Sequence, residues 1–302
     1  CNPTGSFKDR GMVVAVARAV EDGARGIICA STGNTSASAA AYSSRAGLSS
    51  IVVIPKNGIS KDKLLQTISH GGRVFSLDTN FDNSLKMIRQ IKNRNGFVLV
   101  NSVNTDRIQG QKTAAFEVVE DTDGLMDYVF IPVGNAGNIT AYWSGFAEAY
   151  DIGWTNKRPK MMGFQACGSA PIVEDRVVVN PQTVASAIRI GNPASWDGAL
   201  KARDESGGDI GCVGDSEILE TLNLMSSREG VFCEPAAAVG VAGFIKMADS
   251  GVDFDRKVVI CIVTGTGLKD TSLVSDFASV EIEEYAADLG VLDRAIRSDS
   301  LS

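Results

Sequence analysis

The residues best placed to do chemistry stand at the start of the chain. Asn2-Pro3-Thr4-Gly5-Ser6-Phe7-Lys8-Asp9-Arg10-Gly11 holds a lysine between a Pro/Gly turn and a run of apolar, helix-forming residues. Pro3 and Gly5 favour a turn, and Lys8 to Val20 reads as one helix packed in a core, so the lysine sits where that helix begins. A primary amine stripped of water in such a setting becomes a nucleophile toward an aldehyde. A lysine at a helix start is also commonly just a solvated side chain, so the decision rests on what accompanies it.

Three loops accompany it, each between a strand-like run and a helical one. Val133-Gly134-Asn135-Ala136-Gly137-Asn138 suits a phosphate, because glycines let the backbone approach an anion and the helix start adds favourable potential. It lacks the endings of a P-loop or a dinucleotide fingerprint, and as a Gly-rich turn alone it could be a plain connection. Ser31-Thr32-Gly33-Asn34-Thr35-Ser36-Ala37-Ser38 packs five hydroxyls into eight positions, more than one helix cap requires, and can bind a carboxylate. Val263-Thr264-Gly265-Thr266-Gly267-Leu268-Lys269-Asp270 places a neutral hydroxyl, Thr264, after a late strand. All three lie where open α/β sheets hold ligands.

The elements that must position these loops are short apolar strands alternating with helices: 26–30, 50–54, 73–77, 97–100, 128–133, 161–166 and 257–263. Helical patterns at 34–45, 81–93 and 110–120 lie between them. This is the signature of α/β architecture with mainly parallel sheets covered on both faces. A smaller α/β unit is expected at 26–105, inserted in a larger one made of 1–25 and 106–302. The stretch 171–193 reads as an irregular excursion, and the charged tail after Ser279 as a frayed end.

Composition narrows the function class. A net charge of −7 with no Lys/Arg cluster argues against nucleic acid, and no apolar run reaches the length of a membrane span. Six cysteines without paired spacing indicate neither a disulfide framework nor a zinc site, and free buried thiols in a reducing compartment, the cytoplasm, are the simplest account. The single histidine, His70, makes a Ser-His-Asp triad or a His-rich metal centre a poor match and is expected to help end a helix before Gly71-Gly72. No metal is expected.

Taken together, segments 2–12, 31–38, 101–104 with 107–117, 132–143, 187–196, 229–238 and 263–270 resemble the threonine synthase family, within the fold type II, tryptophan synthase β group of pyridoxal-phosphate enzymes. The resemblance spans about residues 2 to 270. It implies two open, mainly parallel α/β domains with the cofactor in the cleft between them, a cytoplasmic homodimer, and conversion of O-phospho-L-homoserine and water to L-threonine and phosphate.

Position by position, the resemblance implies that Lys8 bonds covalently to pyridoxal 5'-phosphate and then moves protons. Asn34 would hydrogen-bond the cofactor's ring oxygen, Gly134, Asn135, Ala136, Gly137 and Asn138 would hold its phosphate, and Thr264 would face its ring nitrogen. Ser31, Thr32 and Thr35 would take the substrate carboxylate, and Lys63, Asn101, Ser102 and Arg107 the substrate phosphate. One departure stands in Pro55-Lys56-Asn57-Gly58-Ile59-Ser60-Lys61, where relatives often carry a lysine at the position of Gly58. Lys56 or Lys61 is a candidate to compensate. The chain begins with Cys1 and not methionine, and the family has several tens of residues before this lysine, so a truncated start is expected. A threonine/serine dehydratase-like enzyme and a non-catalytic ligand-binding homologue are the competing expectations.

Overall fold

Gly26–Ala30 (β1, Gly-Ile-Ile-Cys-Ala) is buried along its whole length, so it needs neighbours on both edges and cover on both faces. It finds both as an inner strand of a four-stranded sheet. The computed structural model describes residues 2–31, 33–56, 61–79, 81–91, 96–102, 104–271 and 282–299, excluding the side chains at 61–63, 81–82, 91 and 298–299. In it, Cys1–Asp270 forms one compact unit and Thr271–Ser302 another.

The first unit opens with α1 (Lys8–Glu21), β1, α2 (Asn34–Arg45), β2 (Ser49–Pro55), α3 (Lys61–Ser69), β3 (Arg73–Leu77), α4 (Phe81–Ile91) and β4 (Phe97–Leu99). The strands pair in parallel in the order β3-β2-β1-β4, with Ile28 opposite both Ile51 and Leu99. Met12, Ala15, Val16 and Ala19 of α1 join Ile27, Cys29, Ala39 and Val52 in one apolar cluster. Ile28, Ala30, Val53 and Ile88 form another, toward α4.

The chain continues through α5 (Thr105–Gln111), α6 (Thr113–Asp121), β5 (Tyr128–Pro132), α7 (Gly137–Asp151), β6 (Lys160–Ala166), α8 (Trp196–Ser206), β7 (Asp209–Val213), α9 (Asp215–Glu229), α10 (Pro235–Asp249) and β8 (Val259–Cys261). These strands make a second parallel sheet, β7-β6-β5-β8. Val129, Ile131, Ile139, Phe146 and Met161 pack together with α6, α7 and α8, while Phe130, Phe164, Ile218 and Val239 pack with α9 and α10. The second unit holds α11 (Leu289–Asp299). Among the described residues no helix is long and apolar enough to cross a membrane.

Four sequence expectations need correction. The expected helix at 110–120 is two helices, α5 and α6, meeting at Lys112. Strand β7 was not anticipated, because Gly208-Asp209-Ile210-Gly211 reads as a turn and the strand lies at a sheet edge. The tail expected to fray contains α11, where Leu289, Leu292 and Ile296 recur at helical spacing and Arg297 pairs with Asp293 at 3.0 Å. The cysteines are not all free: Cys167 and Cys212, 45 residues apart, form a disulfide. Register explains it, since Cys212 pairs with Gln165 on the parallel neighbour and Cys167 follows the end of that strand. Among the described residues Cys29, Cys233 and Cys261 remain free. The stretch 171–193 is irregular apart from one 3-10 turn, Ser186–Ile188, and His70 follows α3 directly, ahead of Gly71 at φ +77°.

Candidate active site

Three stretches distant in sequence are laced together at the start of α1. The Phe7 N–H donates to the Thr264 carbonyl at 2.9 Å, the Thr266 N–H donates to the Gly5 carbonyl at 2.9 Å, and Ser6 bridges Gly265. On the far side the Glu234 N–H donates to the Gly265 carbonyl at 3.0 Å, and Cys233 bridges Thr266. The turn before the lysine is closed by buried Asp9, whose carboxylate accepts from the Thr4 N–H and hydroxyl, both at 2.7 Å. Gly5 sits at φ +80°, and a Cβ there would stand 2.6 Å from Thr266 Cγ2, so this turn requires glycine.

Lys8 is therefore the first residue of α1 and partly buried. Burial, and next the Arg107 guanidinium, lower its pKa to about 7, against the opposing pull of Glu234. Its Nζ lies 4.1 Å from the centroid of the Phe7 ring. An amine so placed is largely neutral just above pH 7, the state in which it can attack a carbonyl.

Arg107 reaches this point because α1 and α5 cross backbone to backbone. A Cβ on Gly110 would lie 2.1 Å from the Arg10 carbonyl oxygen, and one on Gly11 would lie 2.7 Å from that of Arg107. The guanidinium is 2% exposed, donates from Nη1 to the Val100 carbonyl at 3.2 Å, and leaves Nε without a partner. Among the described residues no carboxylate forms an ion pair with it. Burial lowers its pKa to about 10. A buried cation with no counter-charge is costly unless an anion joins it.

The hydroxyl loop stands beside this pair. Asn34 opens α2 and donates from Nδ2 to both Glu234 oxygens, at 2.9 and 3.1 Å. Ser31 Oγ accepts the Gly33 N–H at 3.3 Å, and Thr35 is partly buried in the first turn of α2. Asn101 is occupied with structure: Oδ1 accepts the Ala30 N–H at 3.0 Å and Nδ2 donates to the Ala30 carbonyl at 2.8 Å, pinning the loop's start to the end of β4. Ser102 Oγ accepts from Asn135 Nδ2 at 2.9 Å, which ties the first sheet to the glycine loop of the second.

That loop leaves β5 and enters the 15-residue helix α7 through Ala136 at φ +62°. Asn135 is held on its other side as well, its Oδ1 accepting the Ala194 N–H at 3.0 Å. Asn138 is 7% exposed, and neither polar atom of its side chain has a partner. A buried amide whose Nδ2 is unsatisfied, at a helix N-terminus, suits a phosphate, whose oxygens can accept from it and from the helix N–H groups. Thr264, 6% exposed, closes the ring beside Phe7.

The structure thus joins Lys8, Asn34, Arg107 and Thr264 through Glu234 and the lysine segment, and joins Ser102 to Asn135. Thr32, the side chain of Lys63, that of Lys61, and Gly58 lie outside the described residues, whereas Lys56 is exposed at the end of β2. Sequence reasoning assigned no role to Asp9 or Glu234. Glu234 precedes Pro235 at a helix start, a pattern that reads as ordinary capping and gives no sign of a lysine nearby.

A family model described as pyridoxal-phosphate dependent enzyme matches residues 1–265. A threonine synthase of Synechocystis sp. is 52% identical over 269 residues, covering 89% of this chain and 70% of that protein. One from Halalkalibacterium halodurans is 53% identical over 269 residues, covering 89% and 76%. A crystal structure of cysteine synthase from Entamoeba histolytica superposes with a TM-score of 0.77 over 98% of this chain and 84% of that one, at 19% identity, a likeness of fold. The lysine at the head of α1, the glycine loop before α7 and these likenesses converge: the chain belongs to the pyridoxal-phosphate dependent enzymes, and among them to the threonine synthase family.

Proposed function

We propose that this chain converts O-phospho-L-homoserine and water to L-threonine and phosphate. The observation that carries the reading is the pairing of a nucleophilic lysine with a buried, unpaired arginine: one suits an aldehyde cofactor, the other a phosphorylated substrate. The residues fit pyridoxal 5'-phosphate, because the unsatisfied Asn138 amide and the start of α7 offer its phosphate a cradle and Lys8 offers its aldehyde an amine.

Gly134, Asn135, Ala136, Gly137 and Asn138 would hold the cofactor phosphate in this reading, Asn34 would donate to the ring oxygen, and the neutral hydroxyl of Thr264 would face the ring nitrogen. When bound, the cofactor supplies the conjugated ring that makes the substrate's α-carbon acidic. Lys8 Nζ would take protons from the α-carbon and the β-carbon and return protons to the γ-carbon, which becomes a methyl group once phosphate has left it, and to the α-carbon. Ser31, Thr32 and Thr35 orient the substrate carboxylate. Arg107, with Ser102 and Lys63, would bind the phosphate that departs from the γ-carbon, and water adds at the β-carbon. The existing bonds of Asn101 to Ala30 give it instead the part of holding the loop in place.

The reading includes a smaller α/β unit at 26–105 and a larger one at 1–25 with 106–302, supported by the two separate sheets. It also includes a homodimer acting in the cytoplasm. Kinship with bacterial threonine synthases and the buried thiols of Cys29 and Cys233 support that location, while the Cys167–Cys212 bridge is the feature that weighs against it.

Phosphate and threonine release from O-phosphohomoserine, assayed together, test the activity. Equal amounts of both are expected, with turnover reduced at least about a thousandfold in Lys8→Ala. A 2-oxo acid without phosphate would mark dehydratase chemistry, and full activity in the Lys8→Ala variant would end the reading.

A further inference from the structure

Glu234 is the N-cap residue of α10, a position where Asp, Asn, Ser or Thr ordinarily turns back to accept a helix N–H. It makes no side-chain cap bond. Its carboxylate reaches 200 positions along the sequence to Asn34 Nδ2, at 2.9 and 3.1 Å, with the residue only 5% exposed. The route passes directly over Gly265, where a Cβ would come within 2.4 Å of Oε1 and 2.7 Å of Cδ. The fold therefore forgoes a cap and places a glycine to let this carboxylate through.

The charges around it define its role. Burial raises the Glu234 pKa most, and Asp270 adds to that, while the Asn34 hydrogen bond, Lys8 and Lys269 lower it. In return Glu234 favours the charged form of Lys8, opposing Arg107 on α5. The neighbouring Cys233 thiol is pushed up to about 12 by burial and then by the same carboxylate, so it stays protonated. Asn34 has two N–H bonds on Nδ2, and the two oxygens of one carboxylate lie too close together to take both, so Glu234 is met by a forked bond from one of them.

We propose that Glu234 is a positioning residue: it fixes the Asn34 amide with its second N–H directed to the cofactor's ring oxygen, and it sets its carboxyl group over Gly265, the residue that bridges Ser6 in the lysine segment. This assignment rests on the function proposed above. An amide held by a carboxylate cannot flip to present its oxygen, and a carboxylate near a basic nitrogen keeps that nitrogen protonated to higher pH.

The test is a pH titration of the visible absorbance of the cofactor-loaded enzyme, with kcat, KM and thermal melting, for the parent, Glu234→Gln, Glu234→Asp and Gly265→Ala. Glu234→Gln is expected to keep its cofactor and its melting temperature, move the absorbance midpoint down by about one pH unit, and lose about tenfold in kcat with KM little changed. Glu234→Asp recovers part of both. Gly265→Ala, which leaves the glutamate in place but displaces it, moves the midpoint the same way. A parent-like midpoint and kcat in Glu234→Gln, or loss of its fold, overturns the proposal. A parent that neither binds pyridoxal phosphate nor releases phosphate would instead defeat the functional reading itself.

Discussion

The two sheets are packed with side chains of different size. In the second, every residue of β5 after Tyr128 and of β6 after Lys160 is buried. Phe130 stacks on Phe164 at 6.0 Å between centroids and meets Phe244 edge-on at 5.5 Å. In the first, the inner strand β1 is buried throughout as well, but α2, which packs on β1 and β2, buries mostly alanine and serine. Among the described residues no pair of aromatic rings packs on the strands and helices of that sheet. Apolar area stabilises in proportion to what is buried, so the sheet that carries the glycine loop is the more rigid platform. The first sheet's site residues depend more on hydrogen bonds, such as those of Asn101 to Ala30 and Asn34 to Glu234. Such regions open locally at lower free energy, which suits residues that must receive and release a substrate.

The difference can be broken most severely at Phe130, which is fully buried. Phe130→Ala is expected to cost about 3–5 kcal/mol in urea unfolding, and a loss below about 1 kcal/mol would deny the second sheet its role as the stiffer platform. Next in size is Arg107→Met, which replaces an unpaired buried cation by an apolar side chain of similar length. Its melting temperature should match or exceed the parent's, while KM for the phosphorylated substrate rises about ten- to a hundredfold. Unchanged KM would remove Arg107 from the substrate site.

A smaller effect should appear in the pH dependence of cofactor capture. Only neutral Lys8 can attack the aldehyde, and its pKa is lowered to about 7. The rate of covalent attachment should therefore rise about tenfold from pH 6 to pH 8 and level off, where an ordinary lysine would still be climbing. Stopped-flow absorbance after mixing with pyridoxal phosphate reads this directly. Smallest of all, Phe75→Ala on β3 should change stability by less than about 0.5 kcal/mol, since Phe75 is already 40% exposed. A large loss there would show that the first sheet is packed as tightly as the second.

Much of this arrangement was legible before any coordinates. Seven apolar runs marked seven of the eight strands among the described residues, because parallel strands buried on both faces cannot hide their composition. Lys8, the hydroxyl loop and the glycine loop were visible because each concentrates its chemistry within a few consecutive residues. Strand β7 was hidden by its glycines and its edge position, and the break at Lys112 because Lys112 itself keeps helical backbone angles, φ −61° and ψ −21°, so no turn residue marks it.

The chain's local order, its alternation of strand and helix with reactive loops at the strand ends, follows from periodicity and turn chemistry, which are properties of neighbouring residues. The solitary burial of Arg107, the bridge between Cys167 and Cys212, and the hold of Glu234 on Asn34 were decided only by the tertiary structure. Each depends on which strand ends and helix starts come to lie side by side, and such pairings across tens or hundreds of positions are set by sheet order and register, which no short stretch of sequence encodes.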